Sequence, residues 1–99
     1  MPVDDSFAPE RDGYTLTRIH HLHGHVIRIR IRRNCQSAES WAVADVLTPG
    51  LTWTQLAASP PATWHHKTPA ESVTPAALNP IATALLTRAL TILTAHTKS

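Results

Sequence analysis

The chain has 99 residues, 42% hydrophobic and 16% charged, with a formal net charge of +2. This is enough for one small domain with a buried core, and it excludes both a two-domain chain and a highly charged disordered one. Cys35 is the only cysteine, so an internal disulfide and any zinc site built from two to four thiolates are excluded.

The charge is unevenly placed. Asp4, Asp5, Glu10 and Asp12 against Arg11 give residues 1–12 a net −3. Arg18, Arg28, Arg30, Arg32, Arg33, Lys67, Arg88 and Lys98 against Glu39, Asp45 and Glu71 give the remainder +5. Residues 1–12 hold two prolines, clustered acids and no apolar period, and read as a flexible acidic tail ahead of a single domain over 13–99. The opening MPVDDSFAPERDG lacks the basic-then-apolar order of a secretory signal, so a cytoplasmic protein is expected. Seven arginines against two lysines, with abundant Ala, Thr, Pro and His, resemble the usage of a GC-rich bacterial genome.

Tyr14 to His20 and Val26 to Arg33 read as strands. The second alternates strictly, with Ile27, Ile29 and Ile31 on one face and Arg28, Arg30 and Arg32 on the other. After a polar connection, NCQSAES, the run WAVADVL from Trp41 to Leu47 is a third strand. Thr48-Pro49-Gly50 signals a turn, and Leu51 to Leu56 forms a short fourth strand. Residues 57–74 contain Pro60, Pro61 and Pro69 without a sustained period and read as a surface loop with Trp64 as its core anchor; its length leaves room for a short helical turn.

Asn79 as a cap and Pro80 at the first helical position open a helix that runs to about His96. Ile81, Ala82, Leu85, Leu86, Ala89, Ile92 and Leu93 share one arc, and Thr83, Thr87, Arg88, Thr91 and Thr94 share the other. Asn79, Pro80, Arg88 and the threonines interrupt this segment, which argues against a membrane span. One apolar helix face and one apolar sheet face imply an α+β sandwich: a three- to four-stranded antiparallel sheet with one C-terminal amphipathic helix packed on one face.

The functional question centres on HHLHGHVIRIRIRRN, residues 20–34. Arginines on one strand face form forks suited to phosphate, so Arg28, Arg30, Arg32 and Arg33 are the candidate site for nucleic acid or an acidic partner. A solvated strand face guarded against edge pairing has the same composition. The histidines offer an alternative, a zinc or nickel site on His20, His23 and His25, with His65, His66 and His96 as further donors.

Register decides whether they converge. A two-residue His23-Gly24 turn pairs His20 with Ile27 and scatters the imidazoles, whereas a four-residue loop pairs His20 with His25 and gathers them. HLHGH lacks the aspartate of the HxHxDH signature of metallo-β-lactamase-type hydrolases, and the chain is too short for that fold. Trp41, Trp53 and Trp64 read as core plugs or rim covers, with a binding groove as the alternative. No Gly-rich phosphate loop and no GxSxG elbow is present. The sequence is therefore read as a small non-enzymatic binding or regulatory protein. A metal-binding module and a protein-interaction accessory subunit, of a mobile genetic element for example, remain as alternatives, and self-association stays open.

Overall fold

A computed structural model of the chain describes residues 4–68 and 75–97. Five antiparallel strands run as a meander in the order β1 (Asp4–Glu10), β2 (Gly13–Leu22), β3 (His25–Asn34), β4 (Trp41–Leu47) and β5 (Trp53–Ala58). A short helix α1 (Pro61–Trp64) and 3₁₀ turns at His65–Lys67 and Pro75–Leu78 lead into the long helix α2 (Asn79–Thr97). The α+β class, the antiparallel sheet and the C-terminal helix are as the sequence implies.

The strand count differs. The acidic segment expected as a tail pairs along β2 as an edge strand, from Asp4 opposite Ile19 to Glu10 opposite Gly13. Phe7 supplies the apolar contact, its ring 5.5 Å from that of Tyr14. Asp5 and Glu10 meet Arg18 and Arg32, each at 3.4 Å. A segment that is polar by composition thus gains its strand from one aromatic side chain and two arginines, Arg18 on the paired strand and Arg32 one strand further.

The β2–β3 hairpin turns on His23 and Gly24, both in the left-handed region with φ of 54° and 78°. Two positive φ values in a two-residue loop match the twist of the flanking strands. Leu16 then lies opposite Ile31, Arg18 opposite Ile29 and His20 opposite Ile27. Tyr14, Leu16, Ile27, Ile29 and Ile31 become fully buried on one face.

On β4 the same face carries Ala42, Ala44 and Val46. A bulge between Ala44 and Asp45 shifts the β5 register, so that Ala57 faces Ala44 and joins the core. Strand β5 accordingly spans Trp53–Ala58, where the sequence implied a strand over Leu51–Leu56, because residues 48–52 close the turn through Thr48 N–H to Thr52 O and Leu51 N–H to Thr48 O.

Helix α2 covers the alanine-lined half of this face. Ala82, Leu85 and Ala89 are buried against the sheet, with Leu78 fully buried just ahead of them. Ile81, Leu86, Leu90, Ile92 and Leu93 flank the contact partly buried. Residues Pro75–Ala95 are long and apolar enough, by length and composition alone, to cross a membrane. In this fold their buried stripe packs on the strands.

Within residues 57–74, the expected short helical turn is α1, and Trp64 is the anchor, buried with its Nε1 donating to Ser59 O at 3.2 Å. Pro69 lies outside the described residues.

Two glycines hold their positions for different reasons. A Cβ on Gly13 would sit 1.8 Å from the backbone oxygen of Arg33, whereas Gly24 has open space and needs only its positive φ. Gly13→Ala should therefore cost about 2–3 kcal/mol, at the upper end of the usual single-substitution range, and Gly24→Ala about 1–2. Urea titration of the two variants checks the order; an equal midpoint for both would contradict the close approach at Gly13. Burial of Leu85 is worth about 1.5–3 kcal/mol, and an aspartate there buries a charge as well. Leu85→Asp should abolish cooperative thermal melting by circular dichroism, and a soluble variant with a sharp transition would show the helix face to be misassigned.

Candidate functional site

The helix covers one face of the sheet, and the period of two along each strand decides what lines the other. On β3 the outward positions are Arg28, Arg30 and Arg32. On β4 they are Trp41, Val43, Asp45 and Leu47, and Trp53 sits opposite Leu47. The alanines of β4 lie under the helix, where only small side chains allow close packing, so its large residues fall on the open side.

Asp45 organises this face. It lies opposite Arg28 and is nearly inaccessible, at 4% side-chain exposure. Arg28 Nη2 reaches its Oδ2 at 3.2 Å and Arg30 Nε reaches the same oxygen at 3.0 Å. A carboxylate this deep is tolerable because two guanidinium groups replace its water. The same contacts orient the cations. The Arg28 guanidinium carbon lies 4.1 Å from the centre of the Trp53 ring, and that of Arg30 lies 5.6 Å from the centre of Trp41.

Arg32 pairs with Glu10 across the intervening strand, and its Nε has no acceptor among the described residues. Side-chain exposure rises from 20% for Arg28 to 37% for Arg30 and 36% for Arg32. With Asp45 and Glu10 set against three arginines, these five groups carry a net +1. They form a preset aromatic–guanidinium surface more than a bare cationic stripe.

Arg33 does not share this face. It follows Arg32 directly, so alternation sends it to the isoleucine side, where it is 6% exposed. Its Nη1 donates to Asn34 O at 2.6 Å, its Nε to Thr68 Oγ1 at 3.1 Å and its Nη2 to Thr68 O at 3.1 Å. His65 Nε2 contacts the same Asn34 oxygen at 2.7 Å. This is a structural lock that ties the segment after α1 to the end of β3. Tyr14 lies in the same group. Burial pushes its hydroxyl above the ordinary 10.0, opposed by the Arg33 cation and by a hydrogen bond with Thr68.

The two-residue turn pairs His20 with Ile27 and not with His25. His20 lies on the helix side opposite Ile27, and His21 is exposed opposite Val26. His23 and His25 line a cleft of about 380 Å³ with Leu90, Leu93 and Thr94 of α2. Among the described residues no three His, Cys, Asp or Glu side chains gather closely enough to hold a metal ion. The side chain of His96 lies outside the described residues. Cys35 is exposed, its backbone N–H bonded to Asp12 O at 2.7 Å.

No protein family, curated protein or solved structure matches this chain. Sequence reasoning missed Asp45, Trp41 and Trp53 as members of the arginine face, although the alternation in WAVADVL carried the signal for the first two. The place of Trp53 depends on the five-residue turn that sets it opposite Leu47, which no local pattern reveals.

His20, on the helix side of the sheet, makes the fold sensitive to acid. Burial, foremost, and the neighbouring Arg18 hold its imidazole below the ordinary 6.5, against a smaller opposing pull from Asp5. The unfolded chain therefore takes up this proton first as pH falls. The stability contributed by neutral His20 is complete above pH 6.5 and is lost progressively below it, until the folded imidazole itself protonates. His20→Gln should flatten the fall in urea midpoint between about pH 7.5 and pH 5. A variant as acid-sensitive as the parent would assign that dependence elsewhere.

Proposed function

We propose that this is a small non-enzymatic protein that binds nucleic acid through the open face of its sheet, with Arg30 and Arg32 contacting phosphate and Arg28 supporting them from a deeper position. The observation that carries the reading is the convergence of three guanidinium groups with Trp41 and Trp53 on the sheet face that the helix leaves uncovered. Guanidinium forks match phosphate oxygens, and a half-buried indole with its arginine offers a base a flat partner. Arg33 has no part in it, because its donors are spent on Asn34, His65 and Thr68. An acidic protein surface would use the same cations but would leave the indoles without a matching partner.

The test is a fluorescence-anisotropy titration with labelled DNA and RNA oligonucleotides across a range of salt. Affinity should fall linearly on a log–log plot, and Arg30→Gln and Arg32→Gln should each lower the slope by about 1. Absence of binding at low salt, or a double variant that binds like the parent, would refute the proposal.

A further inference from the structure

Resting on that reading, we infer that the ligand is single-stranded and that its bases stack on the paired planes Arg28–Trp53 and Arg30–Trp41. Three observations carry the step, beginning with width. The arginines sit on β3, the middle strand of five. At a strand spacing of about 4.8 Å, the sheet is about 19 Å across, whereas the major groove of B-DNA is about 12 Å wide and admits a helix or a two-stranded ribbon. A duplex would rest on the outer strands, with its base edges held away from the residues at the centre. A single strand can lie flat along them.

Charge is the second observation. Asp45 and Glu10 neutralise two of the three cations on this face. A net +1 suits a ligand held by stacking better than one held chiefly by its phosphate density, because stacking needs a plane and no net charge. Asp45 does not repel the strand directly: it is 4% exposed, beneath the guanidinium groups it orients.

The third observation is spacing. Trp41 opens β4, and Trp53 lies opposite Leu47 at its far end. Arg28 and Arg30 share one Asp45 oxygen, at 3.2 and 3.0 Å, and lie 4.1 and 5.6 Å from their rings, so the two platforms are less than about 18 Å apart, at most about five nucleotides at 3.4 Å each. Each platform has a guanidinium packed on its indole, so a base meets either an indole or an arginine plane, both of which accept any base.

The experiment measures binding of a fluorescein-labelled mixed-sequence single strand and of its duplex at equal salt, together with single strands of two to ten nucleotides. The single strand should bind at least about tenfold more tightly than the duplex, with affinity levelling off by about five nucleotides. Trp41→Leu and Trp53→Leu should each weaken it about tenfold or more, and Trp53→Phe should retain most of the affinity. Circular dichroism melting establishes that the variants fold. If a leucine variant does not, quenching of the parent's tryptophan emission by unlabelled single strand reports stacking, since Trp64 is buried and shielded from it. Duplex binding as tight as single-strand binding, leucine variants that bind like the parent, or no quenching would overturn the inference while leaving nucleic-acid binding intact. Failure to bind either form would remove the underlying proposal as well.

Discussion

The arrangement of the molecule depends on a turn of two residues. His23 and Gly24 both adopt positive φ, and so β2 and β3 pair with Leu22 opposite His25. Because side chains alternate with a period of two, a slip of one residue would exchange the faces of an entire strand. With this register, Leu16 and Tyr14 lie on the same side as Ile27, Ile29 and Ile31 and form a core that the alanines of β4 and α2 can close. The arginines are left on the other side as a consequence, with Thr15, Thr17 and Ile19 of β2 beside them. The same turn sets His20 opposite Ile27, so that His20 and His25 share a face without pairing directly. One local conformation therefore fixes both the arginine face and the pairing of the histidines.

Two acids of the chain, Asp45 and Glu10, are placed where they neutralise that face from within. Asp45 sits in the middle strands beneath two guanidinium groups, and Glu10 reaches Arg32 from the edge. The uneven charge along the sequence, negative at the start and positive after it, is folded back on itself as cross-strand pairs. Exposed pairs of this kind contribute little to stability, with a median of about 0–1 kcal/mol. The Asp45 contacts differ because the carboxylate is buried, and they hold the arginines over the tryptophan rings. The outcome is a surface defined by orientation more than by net charge.

On the opposite side, Arg33 shows what happens to a cation sent inward. Among the described residues it has no carboxylate partner; backbone carbonyls and the Thr68 hydroxyl surround it instead. Burying a charge is tolerable when its donors are met in this way. The contacts anchor the residues after α1 to the end of β3, next to the point where Gly13 lets the β2 backbone approach the Arg33 carbonyl.

Some of this was legible in the residues themselves. The isoleucine–arginine alternation, the run WAVADVL and the capped apolar helix from Asn79 each specify an element through local periodicity, and together they imply the two layers. The register was confined to a few alternatives, and alternation also sends Arg33 inward, a signal that grouping it with Arg28, Arg30 and Arg32 overlooks. Residues Asp4–Glu10 could not be recognised as a strand, because their support comes from Phe7 on Tyr14 and from arginines far along the chain. Asp45 beneath Arg28 and Arg30, and Trp53 beside Arg28, likewise arise from pairing across three strands and a bulge. Periodicity fixes which way a side chain points relative to its own strand. Which side chains meet depends on register between strands, and only the assembled sheet supplies that.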